Sequence, residues 1–548
     1  MVSGYDCVCI CICRFYLTGV GGLMGIYLNP GNISFRKSIN SEIYVDKTEL
    51  IAVTNRYLDT NEGYFCVSRP RRFGKSMALQ MLAAYYSCGC DSRELFAGFK
   101  IAQDKDFEKY LNHYDVIYLN MQQFLIEADA GKVTEYLEKE VLRELRKAYG
   151  QYLDREDLGF AAALREIFIE TERQFMFLID EWDCVMRERQ ESEEMQKQYL
   201  DFLRNLLKDQ PYVILAYMTG ILPVKKYGQH SALNMFQEYS MMDQSMFEEY
   251  TGFTEEEVKG LCEQYHMDFF EMSSWYDGYT FTEYQHIYNP KSVVEAVRRH
   301  KLSSYWTSTE TYDALKVYID MDFDGLRLNI VQMLGGGSVK INTRSFQNDM
   351  RNFKTKDDVL TLLIHLGYLA YDASTQKAFI PNKEIIGEFE NAMSVGGWSN
   401  VMNVLKASEK LLEETLQGHA ELVAEELDKA HSEVASILTY NDENSLGCAI
   451  GLAYYSARKD YKLVRELPAG KGFADIAFLP LPHTNKPALI VELKYDKSVS
   501  AAIQQIKDRQ YTQAFEAYVG EILLVGINYD KSKPDKPHSC VIDRIRKS

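Results

Sequence analysis

The sequence lacks any apolar run long enough to cross a membrane. After residue 24, no stretch approaches the roughly 18 consecutive apolar residues that a membrane-spanning helix needs. Residues 1–23 also lack the basic segment and the long apolar stretch of a signal peptide. We interpret them as an upstream extension, with Met24 as the natural start, and we expect a cytoplasmic protein with no membrane partner.

Cysteines with metal-ligand spacing are scarce. Four of the 11 cysteines form the run Cys7, Cys9, Cys11 and Cys13, and the other seven are scattered. Scattered cysteines are typical of reduced thiols in a cytosolic protein. The run offers ligands for a soft metal, but no further ligand-rich loop lies beside it. An upstream extension without a metal is therefore the preferred interpretation.

Positive charge is in deficit. The 548 residues hold 61 Lys or Arg against 79 Asp or Glu, which gives a formal charge of −18 and argues against a generic polyanion binder. The deficit is uneven, because residues 451–548 hold 16 basic against 11 acidic residues. We therefore expect the C-terminal end to face nucleic acid. A hydrophobic content of 46% indicates a folded chain, and the length predicts about three domains.

The stretch Phe65–Ser76 has the layout of a phosphate-binding loop: a buried strand, a tight loop and the start of a helix. In such loops, backbone N–H groups and the helix N-terminus face the phosphates, a lysine neutralises their charge and a hydroxyl binds Mg²⁺. Arg69 stands where the full pattern has a glycine. We predict that ATP is bound by Arg71, Arg72, Phe73, Gly74, Lys75 and Ser76, with Ser76 also a metal ligand.

Two later strands carry polar residues at their predicted carboxyl ends. One delivers Asp180 and Glu181, and the next, from Tyr212, ends at a Thr219-Gly220 turn. Strands that alternate with helices predict a parallel sheet covered on both faces, so these ends share one edge. Each residue alone is also typical of a helix cap or a turn. Their order favours nucleotide binding, with Asp180 as a Mg²⁺ ligand, Glu181 as the catalytic base and Thr219 as a γ-phosphate sensor.

A second constellation lies near the C-terminus. Asp475 lies in a predicted strand at 473–479, and Glu492 and Lys494 share one face of a strand at 488–495. Two carboxylates in apolar strands repel unless a cation lies between them. We predict a Mg²⁺ site at Asp475 and Glu492, with Lys494 orienting or deprotonating the attacking water. A structural ion pair between Glu492 and Lys494 is the alternative. Gln504, Gln505 and Gln510 on the next helix are expected to be able to contact the scissile strand.

Both sets of motifs resemble a known bacterial and archaeal family. Four segments match its AAA-ATPase-like domain: Tyr44–Thr48, Arg69–Ser76, Leu178–Asp183 and Thr219–Gly220. The family usually has an arginine at the position of Arg69, and Trp182 stands in place of the usual Tyr. Asp475, Glu492 and Lys494 are similar to the core of the PD-(D/E)xK nuclease-like domain that is commonly fused to it. The resemblance also implies Glu443 as a further metal ligand, while Phe473 stands where the family often has Arg.

The fold class implied is α/β multidomain. Its expected parts are an AAA-like P-loop ATPase domain at 24–250, a helical lid and winged-helix-like region at 251–383, an acidic helical connector at 384–438 and a PD-(D/E)xK nuclease-like domain at 439–548. The winged-helix-like part, at 357–380, holds few basic residues, so a lid or packing role is favoured over DNA binding. Whether the chain forms a homo-oligomer is left open.

The function expected is an ATP-binding and ATP-hydrolysing protein coupled to a Mg²⁺-dependent nuclease that acts on DNA. The alternative is an ATP-driven switch or adaptor whose C-terminal domain binds nucleic acid or protein without cleaving it. A third hypothesis, a transcription regulator that uses the winged-helix-like region, needs a basic recognition helix that the sequence does not show.

Overall fold

The structure is a computed structural model that describes residues 25–547 apart from several internal segments. The segments outside the described residues are 130, 225–232, 244, 307–311, 322–324, 347–349, 351–352, 395–396, 435–442, 470–471, 483, 509–519 and 534–536. The predicted upstream extension, Met24 and the cysteine run also lie outside the described residues. The chain divides into two compact units, one up to Pro70 and from Gly74 to Ser240, the other Arg71–Phe73 and from Met241 onward.

The first unit contains a sheet in which every neighbouring pair of strands is parallel. Its strands are β1 Tyr64–Ser68, β2 Asp115–Asn120, β3 Phe175–Asp180, β4 Val213–Gly220 and β5 Gln237–Tyr239. Their order is β2-β3-β4-β1-β5. The predicted α/β fold with a parallel sheet is confirmed, and the carboxyl ends of β1, β3 and β4 lie along one edge of it.

The helices of the first unit alternate with these strands. They are α1 Ile33–Ile39, α2 Glu49–Asn55, α3 Lys75–Tyr86, α4 Arg93–Phe96, α5 Phe107–Tyr110, α6 Met121–Glu127, α7 Val133–Tyr149, α8 Phe160–Thr171, α9 Cys184–Glu188 and α10 Glu193–Leu207, with short 3₁₀ turns at Lys100–Gln103 and Gly150–Tyr152. In α7, the buried residues Leu137, Val141 and Leu145 recur every four positions, so one face of the helix packs on the core while charged residues cover the other.

The second unit begins with helices and short strands. Its helices before residue 400 are α11 Glu255–Tyr265, α12 Phe269–Tyr276, α13 Pro290–Arg299, α14 Tyr312–Ile319, α15 Leu326–Leu334, α16 Lys356–Leu366 and α17 Lys383–Ser394, with 3₁₀ turns at Ser245–Phe247 and Thr343–Ser345. Its short strands are β6 Phe253–Thr254, β7 Ile287–Tyr288, β8 Val339–Lys340, β9 Ala370–Asp372 and β10 Lys377–Phe379. Helix α16 followed by β9 and β10 matches the predicted winged-helix-like pattern, and β8 adds a strand to that sheet.

The C-terminal part is built on a mixed sheet. Its strands are β11 Tyr461–Ala469, β12 Gly472–Pro480, β13 Ala488–Tyr495, β14 Gly520–Tyr529 and β15 His538–Lys547. They follow the order β11-β12-β13-β14-β15, with β13 and β14 parallel and the other pairs antiparallel. Four helices accompany it: α18 Ser399–Gln417, α19 Ala420–Val434, α20 Glu443–Ala453 and α21 Val499–Asp508, with a 3₁₀ turn at Tyr455–Lys459.

The predicted connector is helical, but it is not a separate spacer. The hydroxyls of Thr415 in α18 and Tyr454 are 2.7 Å apart. In α19, the carboxylate of Asp428 accepts a hydrogen bond from the backbone N–H of His538, at 3.0 Å. Helices α18 and α19 therefore pack against the C-terminal part of the chain, because their apolar faces need a partner surface.

The turn after β3 packs tightly against the end of β4. Trp182 is fully buried, and its backbone N–H donates to the carbonyl of Thr219, at 2.9 Å. A Cβ at Gly220 would lie 2.7 Å from Asp183 Oδ1 and from two atoms of the Trp182 ring. The predicted Thr-Gly turn is wrong, since Thr219 and Gly220 are the last residues of β4 and the glycine provides room for the indole.

Two glutamates of α17 are buried one helical turn apart. Glu384 accepts hydrogen bonds from the backbone N–H groups of Tyr305 and Trp306, at 2.7 and 3.0 Å. Glu388 accepts one from the hydroxyl of Ser304, at 3.0 Å. Burial outweighs these contacts and raises the pKa of each carboxyl to about 7.

Adding a methyl group at Gly220 should destabilise the first unit. We expect Gly220→Ala to lower the free energy of unfolding by about 1–3 kcal/mol, because the new Cβ overlaps Trp182 and Asp183. Gly98 is the matched control, since a Cβ there meets no atom within 4 Å. Urea denaturation followed by tryptophan fluorescence measures both variants. Equal midpoints for Gly98→Ala and Gly220→Ala would contradict the packing.

Stability should fall as pH rises through the titration range of the two buried glutamates. Their ordinary pKa is 4.5 and their folded pKa is about 7, so between these values only the unfolded chain releases the protons. The loss amounts to roughly 2–3 kcal/mol for each carboxyl. Thermal unfolding at pH 5 and pH 8 should show a smaller difference for Glu384→Gln/Glu388→Gln than for the wild type. The exposed Glu413→Gln is the control, and an unchanged difference in the double variant would refute the assignment.

Candidate functional site

The start of α3 has the backbone of an anion-binding loop. Gly74 precedes the helix with φ +87°, a left-handed conformation that favours glycine, although a Cβ there would meet no atom within 4 Å. No side chain of the described residues caps the helix. The N–H groups of its first turn, which includes Lys75 and Ser76, have no acceptor within the helix because the helix begins there. Without a cap they are available to a phosphate.

Lys75 is a buried cation at this edge of the sheet. Its side chain is buried, and Nζ donates to the carbonyls of Arg69 and Pro70 at 3.0 and 2.9 Å. Burial lowers the pKa of Lys75, while the nearby carboxylates of Glu181 and Asp180 act in the opposite direction. The structure thus brings the loop lysine close to both acids predicted at the end of β3.

Asp180 and Thr219 meet across neighbouring strands. The hydroxyl of Thr219, in β4, donates to Asp180 Oδ1 at 2.7 Å. The same oxygen accepts the backbone N–H of Glu181 at 3.1 Å, and the Tyr118 hydroxyl lies 3.4 Å from Oδ2. Both Asp180 and Thr219 are about 1% exposed, so hydrogen bonds from protein groups hold the Asp180 carboxylate in one orientation.

The backbone leaves the extended conformation of β3 at Glu181. Its φ of +52° is left-handed, a conformation that costs a non-glycine residue about 1 kcal/mol. Its carboxylate contacts the guanidinium of Arg187, whose Nε also donates to Asp183 at 3.1 Å. Burial raises the pKa of Glu181, and Lys75 and Arg187 lower it. The backbone and Arg187 together fix where this carboxylate lies.

Sequence reasoning missed Arg187 and the role of Asp183. Asp183 is fully buried and accepts the backbone N–H groups of Ile221 and Leu222 at 3.1 and 2.8 Å, besides Arg187. It therefore joins the turn after β3 to the segment after β4. Opposite charges four residues apart at the start of a helix were the signal that could have revealed the pair.

Arg69, the residue in place of the expected glycine, has a structural role. It is fully buried, and its Nη1 donates to the carbonyls of Ser68 and Tyr239, at 2.9 and 3.0 Å. The guanidinium therefore links the end of β1 to β5. Since the Arg69 side chain points into the protein, it leaves the phosphate side of the loop to backbone groups.

Arg71, Arg72 and Phe73 belong to the second unit. Phe73 is fully buried, with its ring 5.3 Å from that of Tyr279. Arg72, at φ +68°, donates to the carbonyl of Tyr305 at 3.4 Å, and Arg71 is exposed. Nucleotide binding by Arg71, Arg72 and Phe73 stays a prediction, and the packed ring of Phe73 leaves only its backbone for that role.

The second unit brings Asp475, Glu492 and Lys494 together. Ile476 pairs with Val491, and one further step in this register places Asp475 opposite Glu492 on the same face. Asp475 Oδ2 accepts the backbone N–H of Leu493 at 2.7 Å. Lys494 Nζ donates to Glu492 Oε1 at 2.9 Å, and both side chains are buried.

Gln505 donates its amide to Glu492 Oε1 from helix α21, so it orients that carboxylate. A contact of Gln504 and Gln505 with the scissile strand stays a prediction, and Gln510 lies outside the described residues. Glu443 is the first residue of α20, and its side chain lies outside the described residues. Within the described ranges, no three His, Cys, Asp or Glu side chains are grouped so as to hold a metal ion.

The residues present suit the groups that the motifs imply. An uncapped helix N-terminus, a buried lysine and the Asp180–Thr219 pair match the needs of a nucleotide with Mg²⁺. At the C-terminal site, Asp475 and the fully buried Glu492 offer the carboxylate oxygens that Mg²⁺ prefers. Across the described residues, no helix has both the length and the apolar character to cross a membrane.

Two known proteins show limited similarity to this chain. A protein of Azotobacter chroococcum mcd 1, described as an uncharacterized protein in the vnfD 5′ region, is 27% identical over 278 residues, which are 49% of this chain and 51% of that protein. The chain thus spans about half the length of that relative. The structure of the Aeropyrum pernix ORC2 protein in ADPNP and ADP complexes matches 65% of this chain and 96% of that one, with a TM-score of 0.29 and 11% identity.

Two family models match separate parts of the chain. Residues 31–229 match the AAA-ATPase-like family, described as a predicted AAA-ATPase. Residues 447–536 match the PD-(D/E)XK nuclease superfamily. Both resemblances read from the motifs are confirmed by these matches. The chain therefore carries an AAA-ATPase-like domain followed by a C-terminal domain of the PD-(D/E)XK nuclease superfamily.

Proposed function

We propose that the N-terminal domain binds and hydrolyses ATP and that the C-terminal domain cleaves DNA with Mg²⁺. One observation supports both halves: each domain sets a buried lysine beside a carboxylate of its sheet. Lys75 lies near Asp180 and Glu181. Lys494 contacts Glu492, which lies opposite Asp475 in the strand register. DNA is the proposed substrate because the C-terminal domain belongs to a nuclease superfamily and its end of the chain has a basic excess.

At the ATP site, the N–H groups at the start of α3 donate to the phosphates. Lys75 exchanges its contacts with the carbonyls of Arg69 and Pro70 for phosphate oxygens. Ser76 and Asp180 would hold Mg²⁺, and Thr219 keeps the Asp180 carboxylate in place. Glu181 accepts the proton of the attacking water; burial raises its pKa, and Lys75 and Arg187 lower it.

At the C-terminal site, Asp475 and Glu492 would hold Mg²⁺, with Glu443 as a proposed third ligand. Lys494 orients the attacking water or removes its proton, and Gln505 positions the Glu492 carboxylate. When bound, Mg²⁺ draws negative charge from the transferred phosphoryl group at the first site and from the phosphodiester at the second. The protein supplies the orientation, since buried strands fix its carboxylates.

The adaptor hypothesis keeps a specific observation in its favour. Lys494 and Glu492 form an ion pair, and Gln505 also donates to that carboxylate. Such a pair can be purely structural. A C-terminal domain of this kind would bind nucleic acid or protein without cleaving it. ATP would then control that binding, and Lys75→Ala, which removes ATP binding, would abolish the control. Cleavage by the wild-type chain separates the two functions.

Substitutions at the two sites should separate the two activities. We expect Asp475→Ala to lower Mg²⁺-dependent cleavage of plasmid DNA by at least about 100-fold while fluorescent ATP still binds, because it removes a carboxylate at the reacting phosphate. Lys75→Ala should abolish ATP binding, because it removes the cation beside the phosphates. Asp508→Ala, an exposed acid on α21, is the control. Cleavage by Asp475→Ala at the wild-type rate would remove the nuclease assignment.

Arg187 should set the pH range of ATP hydrolysis. Arg187 lowers the pKa of Glu181, so Arg187→Met raises that pKa and moves the acid limb of the kcat profile to higher pH. Arg187→Lys keeps the charge and should restore part of the profile. The measurement is ATP turnover between pH 5.5 and 9. A uniform loss of rate at every pH would show that Arg187 only supports the fold.

A further inference from the structure

A polar cavity of about 240 Å³ lies in the second unit. The described residues of its lining do not include Asp475, Glu492 or Lys494. Ser273 and Asp277 line one side, near the end of α12, and Lys383 at the start of α17 adds a cation. Arg458 and Lys462 complete the lining just before and within β11. Two parts of the sequence, separated by most of the helical region, therefore meet around this cavity.

The lining has an excess of positive charge although the chain as a whole carries −18. Lys383, Arg458 and Lys462 are cationic, and Asp277 is the one acidic residue among the described residues of the lining. The Asp277 carboxylate is already engaged, since it accepts the N–H of Gly278 at 2.6 Å and hydrogen-bonds with His286 Nδ1 at 2.8 Å. It does not balance the three cations.

Among the described residues, none of these cations forms an ion pair, although Glu271 and Asp460 act electrostatically on Lys383, and Glu390 acts on Arg458. Arg458 Nη2 donates to the carbonyl of Leu334 at 2.7 Å, and Nη1 is buried without a hydrogen-bond acceptor in the described part of the chain. Lys383 Nζ lies 5.5 Å from the centre of the Trp275 ring. Burial lowers the pKa of both Lys383 and Arg458. These direct contacts of Arg458 and Lys383 are thus with a carbonyl and an aromatic face, so a bound anion would stabilise their charge further.

Lys462 shares a sheet face with the C-terminal site. It pairs with Leu479 across β11 and β12, and opposed residues of antiparallel strands point to the same side. Asp475 lies four residues from Leu479 along β12, which keeps it on that side at a distance of roughly 13 Å. Phosphates of one nucleic-acid strand follow each other closely enough to span this distance within about four nucleotides.

We propose that this cavity binds a phosphate group of a nucleotide-class ligand. The guanidinium of Arg458 donates from its free Nη1, and Lys383 and Lys462 neutralise the charge. The volume is below the range of about 300–1,000 Å³ usual for drug-sized ligands, so it suits one phosphate with its sugar. The shared sheet face favours a nucleic-acid strand as the source of the phosphate, and a free mononucleotide is the other source. Binding does not require the C-terminal site to cut.

The test measures binding by the full chain without divalent cations, which separates it from cleavage. The probes are a fluorescein-labelled single strand of about 12 nucleotides, followed by anisotropy, and deoxyadenosine 5′-monophosphate, followed by calorimetry. We expect Lys383→Ala and Lys462→Ala each to weaken binding about fivefold, and to lower the slope of log affinity against log salt by about 0.7 for the strand. Arg458→Lys, which keeps the charge but not the planar fork, should weaken binding less.

Lys406→Ala is the matched control, because Lys406 is exposed on α18 and outside the cavity lining. Selective weakening of strand binding alone supports a strand phosphate, and weakening of both probes supports a free nucleotide phosphate. Either result can be obtained even if Asp475→Ala cleaves DNA at the wild-type rate and the nuclease assignment fails. The proposal is overturned if neither probe binds, or if Lys383→Ala and Lys462→Ala match Lys406→Ala in affinity and salt slope.

Discussion

Loss of water around a charged lysine is the constraint on which both candidate sites depend. Lys75 is buried, so its ammonium is stabilised by carbonyls and by the fields of Glu181 and Asp180. Glu181 in turn lies in an environment that favours its neutral form, and the lysine offsets that preference. Because β1, β3 and β4 are held in register, the sheet fixes the spacing of these charges. Lys494 and Glu492 repeat the arrangement on one strand.

Much of the fold and the main residues of each site could be predicted, because the sequence patterns that indicate them are local. Apolar runs that end in Asp180 or Thr219, and a strand followed by Gly74 and Lys75, are visible within about ten residues of sequence. Strands β11 and β15 were missed because edge strands carry alternating charged residues, such as Asp543 in β15, and show no apolar run.

The parts that were missed depend on contacts between residues far apart in the chain. Arg69 bonds to the carbonyl of Tyr239, 170 residues away, so no local pattern reveals that its side chain ties two strands together. Phe73 was grouped with the loop by adjacency, yet its ring packs on Tyr279. The role of Gly220 likewise follows from the position of the Trp182 indole, which only the folded sheet determines.

The packing of α18 and α19 has a consequence for how the C-terminal part is delimited. The match to the nuclease superfamily begins at residue 447, after both helices. A fragment cut there would separate Tyr454 from Thr415 and His538 from Asp428, exposing the apolar surfaces that the two helices cover. The segment that matches the family model, residues 447–536, is therefore smaller than the part of the chain that shares its core. The acidic helices α18 and α19 cover apolar surface of that core.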